Sequence, residues 1–322
     1  MFDDFCFAVY ELTMTAGEHG LVLPEYKGST LRGGFGHVFR RIACVQRQVD
    51  DCRQCLLFAT CPYALVFEPA PLPDSAVLKN LSDIPRPFVL EPPADTRRRY
   101  APGEKLVFRL VLVGQVIELL PYFVLAFKEL GRIGLGKGRL PCELTGVDYI
   151  MPFSGTRYSV YRRDSDRIDV TRQGITLKSL PAGYIQQKSN RLQLVFHTMT
   201  RLKHDHKLAG NIPFHVLVRN LLRRISTLYY FYHGGRIATL DYQALIDTAG
   251  TIATVYSDLQ LVHWERFSNR QQVRMDLPGL VGEVEYEGNI IPFLPLLRLG
   301  EIIHVGKGCT FGLGKYEIKA VN

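Results

Sequence analysis

The stretch GSTLRGGFGHVFRRIACV, residues 28–45, sets an imidazole beside two permanent cations. Phe35, Val38, Phe39, Ile42 and Val45 follow the i, i+3, i+4, i+7 spacing of a helix with one apolar face. His37 falls opposite that face, and Arg40 and Arg41 follow it by three and four residues. One solvent-facing surface therefore presents all three side chains. Histidine gives or takes a proton near neutral pH. Guanidinium stabilises negative charge that builds in a transition state. The chemistry such a surface suits is proton transfer on an anionic substrate.

A second group follows directly. Cys44, Cys52, Cys55 and Cys61 form C-x7-C-x2-C-x5-C. C-x2-C closes a chelate turn around one ion, and four thiolates complete a tetrahedral site. The spacing predicts a structural zinc, with an iron–sulfur cluster as the all-sulfur alternative, pinning the end of the helix that carries His37. Cys6, Cys142 and Cys309 read as strand or loop thiols. Among the other histidines, His204 and His206 in KHDHK have no third ligand in view and read as an exposed polar loop. His233 ends a long helix, where a cation is favoured, and His263 packs beside Trp264.

Two glycine loops echo each other. HVGKGCTFGLGKY, residues 304–316, carries Gly306, Gly308, Gly312 and Gly314 with Lys307 and Lys315. GRIGLGKGRL, residues 131–140, carries Gly134, Gly136 and Gly138 with Lys137 and Arg139. GRIGLGK spells G-x-x-x-x-G-K, yet Gly138 stands where a phosphate-binding P-loop needs Ser or Thr. The order is also reversed, because phosphate-binding loops follow a strand and open a helix, whereas these follow a helix and precede a strand. Neither NTP nor dinucleotide binding survives. One glycine would serve a tight turn; repeated glycines with adjacent cations expose amides suited to a phosphodiester backbone.

The elements that must position these groups repeat. FCFAVYELTMTA reads as a strand, EKLVFRLVLVG as another, and ELLPYFVLAFKELG as a helix with Pro121 near its start. RLQLVFHTMTRLK, FHVLVRNLLRRISTLYYFYHG closed by Gly234 and Gly235, and GLVGEVEYEG repeat the pattern in the second half. A helix in IPFLPLLRLGEIIHVG and a last strand in KYEIKAVN end the chain. Each half runs strand, helix, strands, helix, glycine loop, strand. That order predicts an α+β fold of tandem ferredoxin-like (RRM-like) βαββαβ domains. The first spans residues 1–150 with a small Cys-rich insertion at 44–61. Residues 151–190 form a connector with peripheral strands, and 191–322 the second domain.

The 39 Lys and Arg outnumber 31 Asp and Glu, giving a formal charge of +8 that favours a polyanionic partner. The most apolar run, LVFRLVLVGQVIELLPYFVLAF, is broken by Arg109, Gln115 and Glu118, which argues against a membrane span. MFDDFCFAVY has neither the basic region nor the cleavage site of a secretory signal. Seven cysteines then imply reduced thiols or ligands, and the expected location is cytoplasmic.

With GSTLRGGFGHVFRRIACV, WERFSNRQQVRMDLPGLVGEVEYEG (264–288) and the GKGCTFGLGKYEI ending, the chain resembles the CRISPR-associated endoribonucleases of the RAMP (repeat-associated mysterious protein) superfamily. The resemblance spans nearly the whole length. It implies tandem ferredoxin-like domains binding CRISPR repeat RNA in precursor crRNA. It also implies cleavage without metal that leaves a 2′,3′-cyclic phosphate and a 5′-hydroxyl. The family's catalytic histidine occupies a glycine-flanked first helix, often near a tyrosine and a lysine. His37 matches and Tyr26 is the corresponding tyrosine. Lys27 is the nearest lysine, while the helix itself offers Arg40 and Arg41. The glycine loops become RNA clamps. Arg266, Arg270 and Arg274 add RNA contacts, aligned if their segment is helical and splayed if it is extended. TRRRY (96–100), RLK (201–203) and RNLLRR (219–224) add further basic groups. CRISPR effector-complex subunits are the implied protein partners, with a monomer or homodimer and no membrane. Two alternatives are a non-catalytic RAMP subunit that only binds guide RNA, and a zinc-bearing RNA-recognition protein of another pathway.

Overall fold

A computed structural model describes residues 1–71, 84–171, 174–181, 189–205, 207–268 and 273–319. The chain divides into two compact units, Phe5–Ile175 with Leu228–Arg236, and Met1–Asp4 and Thr176–Thr227 with Ile237–Asn322.

The first unit is built on β1 (Cys6–Ala16), α1 (Gly28–Ala43), the short α2 (Pro62–Phe67), β2 (Phe88–Glu91), β3 (Lys105–Val113), α3 (Leu120–Ile133) and β4 (Cys142–Ile150). The antiparallel ladders place them in the order β2-β3-β1-β4, the ferredoxin-like arrangement. In the segment read as connector and peripheral strands, β5 (Arg157–Arg162) and β6 (Arg167–Ile168) extend the sheet beyond β4. Pro121 sits in the first turn of α3, where its missing N–H costs nothing, and starts the helix without kinking it.

Aromatic packing fixes the two long helices. Phe35 stacks on Phe127 at 4.8 Å between ring centroids and on Phe123 at 5.1 Å. Phe39 meets Phe123 at 5.3 Å, and Phe67 meets Phe88 at 5.4 Å. Phe35, Val38 and Phe39 are buried as their spacing requires. Val45 is not. The helix ends at Ala43, so Val45 lies beyond its last turn and is 74% exposed.

The second unit repeats the plan with β7 (Arg191–Thr200), α4 (Phe214–Tyr232), α5 (Tyr242–Gly250), β8 (Ala253–Val262), β11 (Gly279–Glu287), α6 (Leu294–Ile303) and β12 (Tyr316–Lys319). A side hairpin of β9 (Glu265–Ser268) and β10 (Val273–Asp276) lies between β8 and β11 in the chain. Sheet order is β8-β11-β7-β12, the same arrangement again. The last residues of α4, counted with the first unit, are followed by Gly234 and Gly235, both at positive φ, as a helix stop requires. Among the described residues no helix is long and apolar enough to cross a membrane.

Candidate active site

His37 stands on the exposed side of α1, one turn after an exposed glycine. The three glycines of RGGFGH have different reasons. A Cβ at Gly34 would lie 2.8 Å from Leu130 Cδ1, and one at Gly36 would lie 3.1 Å from Phe67 Cε1. Those two let α3 and α2 pack closely against α1. A Cβ at Gly33 would meet nothing within 4 Å. Glycine in a helix costs about 1 kcal/mol relative to alanine, and packing does not account for this one. What it does is leave bare backbone beside the imidazole, one turn from His37, where a phosphate or ribose can approach.

The two arginines are differently engaged. Arg40 is half-buried; its Nη2 donates to the Val49 carbonyl at 3.5 Å, and its guanidinium lies 5.6 Å from the Tyr63 ring centre. It turns toward the loop after the helix. Arg41 is exposed and reaches Glu129 at 3.8 Å. Arg132 holds that carboxylate more tightly, with bonds of 2.8 and 2.9 Å, and this hydrogen bonding is what keeps Glu129 below the usual carboxylate range. An exposed pair as long as Arg41–Glu129 is worth little, so Arg41 is the cation that a phosphate can recruit.

Tyr26 and Lys27 precede the first turn. By a helical rise of about 1.5 Å per residue, the start of α1 is about 14 Å along the axis from His37. Tyr26 lies before that start, outside the helix. Lys27 is fully buried, and its Nζ donates to the Glu25 carbonyl at 3.0 Å and the Asp95 carbonyl at 2.8 Å. It clasps the entry of α1 to the loop that carries Arg97, Arg98 and Arg99, and is not a catalytic cation.

That loop and the first glycine loop meet at this end of α1. Leu21–Val22 pairs with Arg99–Tyr100, and Lys137 N donates to the Val22 carbonyl at 2.9 Å. Exposed Arg97, Arg98, Arg99, Lys137 and Arg139 thus share one rim. Arg97 lies 4.1 Å from the Tyr100 ring centre, and Arg98 pairs with Glu25 at 3.1 Å. Packing gives these glycines structural reasons of their own. Gly134, Gly136 and Gly138 all adopt positive φ, and side chains at Gly134 and Gly136 would run into the carbonyls of Arg139 and Val22. Only at Gly138 is the space open, with Leu140 side-chain atoms no nearer than 3.8 Å.

In the second loop Gly306, Gly308, Gly312 and Gly314 also take positive φ. A side chain at Gly314 would strike the Val305 carbonyl. The insert between the two G-x-G pairs is one tight turn, Cys309–Phe311, flanked by left-handed Gly308 and Gly312. Buried Cys309 donates to the Gly306 carbonyl, and burial pushes its thiol pKa up. Lys307 N and Gly314 N donate to the carbonyls of Arg201 and Met199, and Lys315 N to Thr198 Oγ1, stitching the loop to the end of β7.

Arg266 and Arg274 fall on the β9–β10 hairpin, paired with Met275 and Phe267. The segment is extended, so the four-residue spacing does not make a helical line. Arg270 lies outside the described residues, as does His206. His233 was expected as a helix-end cation; instead its Nε2 accepts the Cys6 amide hydrogen at 2.8 Å, a bond that uses an unprotonated ring nitrogen. His263 faces Asp276 at 2.7 Å rather than merely packing with Trp264.

The four cysteines depart most from expectation. Cys44 is buried, Cys52, Cys55 and Cys61 are half-buried, and all are free thiols. Cys44, Cys55 and Cys61 line a cavity of about 190 Å³. Burial, then Glu68, pushes the Cys52 thiol up. Yet among the described residues no three His, Cys, Asp or Glu side chains are grouped so as to hold one metal ion. The geometry does not assemble the tetrathiolate that the spacing suggested. The end of α1 has another fastening: Arg47 Nη2 donates to the Arg41 carbonyl at 2.6 Å and its Nε to the Cys44 carbonyl at 3.4 Å.

Comparison with known proteins joins these observations. The AF_1859_N N-terminal-domain model matches residues 5–173, and the model of the CRISPR-associated endoribonuclease Cas6 matches residues 194–316. Residues 194–316 belong to the family of the CRISPR-associated endoribonuclease Cas6. An uncharacterized protein of Archaeoglobus fulgidus is 24% identical over 300 residues, covering 92% of this chain and 93% of its own. A Cas6 product complex matches 98% of the chain and 99% of its own length with a TM-score of 0.56 at 15% identity. Thermus thermophilus Cas6 covers the same shares at 0.54 and 14% identity. These likenesses show the fold, tandem ferredoxin-like units; the residues of the site rest on the geometry above.

Proposed function

We propose that the chain is a RAMP endoribonuclease that binds CRISPR repeat RNA and cuts precursor transcripts into guide RNAs without a catalytic metal. The observation that carries the reading is His37, exposed in mid-helix beside the bare backbone of Gly33, with loosely held Arg41 one turn further. In this reading the neutral imidazole takes the proton of a ribose 2′-hydroxyl. The O2′–P bond forms as the P–O5′ bond breaks, Arg41 faces the charge on the phosphorane, and the 5′-oxygen takes a proton from solvent. The products are a 2′,3′-cyclic phosphate and a 5′-hydroxyl. Exposed Lys137 and Arg139, with the Arg97–Arg99 loop and Tyr26, hold backbone at the N-terminal end of α1.

Incubation of the protein with CRISPR-repeat RNA in EDTA tests this. Cleavage to a cyclic phosphate, lost in His37→Ala, is the expected result; cleavage that persists in His37→Ala overturns the assignment. A second reading, a RAMP subunit that binds guide RNA without cutting it, draws support from the engagement of Arg40 elsewhere. Tight binding of repeat RNA with no cleavage would favour it.

A further inference from the structure

The second unit carries a cluster of cations that the reading above does not use. On α4, His215, Arg219 and Arg223 repeat every four residues, an interval that keeps them on one face. Arg219 and Arg223 are exposed, while adjacent Arg224 turns inward and donates both Nε and Nη2 to the Ile303 carbonyl at 3.1 and 2.9 Å. Beside this face Lys203–His204 pairs antiparallel with Lys207–Leu208. Asn220 locks the pair in place: its Oδ1 accepts from Lys203 N at 3.2 Å, and its Nδ2 donates to the Lys203 carbonyl at 3.0 Å. The His204 and His215 rings come within 5.7 Å. Burial, followed by His204 and Arg219, holds the His215 imidazole below its usual range.

Two contrasts give this cluster meaning. Many surface arginines elsewhere are paired with acids, as Arg157 with Glu11, Arg162 with Asp148, Arg163 with Glu143 and Arg191 with Glu287. Among the described residues, Lys203, Lys207, Arg219 and Arg223 have no acidic partner, and Asp205, bonded to His204 at 3.4 Å, is the acid beside them. The sheet face of the same unit has the opposite character. Asp258 stands opposite Glu283, with Glu285 and Glu287 on the same strand face, and Glu317 is engaged by His197 and Lys319. RRM-type domains lay single-stranded RNA across that sheet face on aromatic side chains; here carboxylates repel it.

We propose that the exposed face of α4, with the paired Lys203–His204 and Lys207–Leu208, is a docking track for the phosphodiester backbone of RNA. The inference rests on RNA being the substrate, and it assigns the second unit's grip to the helix side of its sheet. Backbone contacts of this kind fix position without reading sequence. The track acts by holding RNA, so its loss weakens binding and leaves the rate of the bound complex unchanged.

The test uses the full chain and a fluorescein-labelled CRISPR-repeat RNA with a 2′-deoxy cleavage position, titrated at several salt concentrations. Arg219→Glu with Arg223→Glu is expected to weaken binding by at least about tenfold and to reduce the salt slope by about 1.4, two single-strand phosphate contacts at about 0.7 each. Arg191→Glu with Lys319→Glu makes the same change of net charge on the sheet face and is expected to change affinity by less than about threefold. A glutamine pair at 219 and 223 serves if the glutamate pair fails to fold. Equal affinity and slope for wild type and the helix variants, or equal loss in the sheet variants, overturns the proposal. Cleavage of all-ribose RNA separates the two readings. A wild type that binds and cuts while the helix variants bind equally well overturns this inference alone. A wild type that neither binds nor cuts overturns both.

Discussion

α1 and α4 occupy the same place in two copies of one fold, the first helix after the first strand, and they are built for different tasks. α1 carries four glycines and a single imidazole, and Arg40 and Arg41 lean on Val49, Tyr63 and Glu129. α4 has no glycine, and exposes Arg219 and Arg223 without acidic partners among the described residues. One helix gives access to its backbone; the other gives field. A duplicated scaffold can divide chemistry from grip in this way because the buried face of each helix is fixed by its sheet, while the exposed face is unconstrained.

That contrast can be broken from either side. The largest effect is expected in α1, where His37→Ala should slow cleavage by about 100- to 10,000-fold while equilibrium binding of repeat RNA stays at the wild-type value. A parallel loss of binding would place His37 among the gripping residues and erase the distinction. On α4, neighbouring arginines should behave oppositely. Arg224→Met leaves the buried Ile303 carbonyl without its donor and should cost about 2 kcal/mol in chemical denaturation. Arg223→Met should stay within about 0.5 kcal/mol and show its effect in RNA binding. A smaller effect belongs to Gly33→Ala. It should stabilise the fold by up to about 1 kcal/mol, since alanine favours helix and nothing obstructs its Cβ, yet slow cleavage about tenfold by crowding the approach to His37. Unchanged cleavage would show that the open backbone is not used. Smallest of all, EDTA should leave the thermal melt and the cleavage rate unmoved, because the four cysteines do not form a metal-holding group; a drop in melting temperature would restore the structural zinc.

Much of the architecture was legible because apolar spacing is a direct record of burial. Phe35, Val38 and Phe39 gave α1 its inward face, and hence His37 its outward one. Elements that escaped notice lack such a record. β2 is four residues, all buried, and presents no alternation. β8 is exposed along almost its whole length, so its residues were free to vary without a pattern. The site was legible in part. Arg40 and Arg41 looked equivalent by spacing, but partners distant in sequence, Val49, Tyr63 and Glu129, gave them different roles. Lys27 looked available and is enclosed. The separate behaviour of Arg223 and Arg224 lay in the four-residue interval from His215 through Arg219, a signal the sequence did contain.

The two glycine loops mark the border between the kinds of knowledge. By itself the sequence determined that the chain holds two similar units, that each has a glycine loop between a helix and the strand after it, and that this order is the reverse of a nucleotide-binding loop's. Order along the chain suffices for this, because the topology of a ferredoxin-like unit is written in its order of elements. What each glycine is for was decided by tertiary structure alone. Gly314 is excluded from bearing a side chain by Val305, and Gly136 by Val22, while Gly138 faces open space. The cysteines make the same point in reverse: their spacing permitted a metal site, and three of them line one cavity, yet among the described residues no group of three side chains is set to hold one ion. Spacing limits which groups can meet, but meeting depends on packing between residues far apart in the chain.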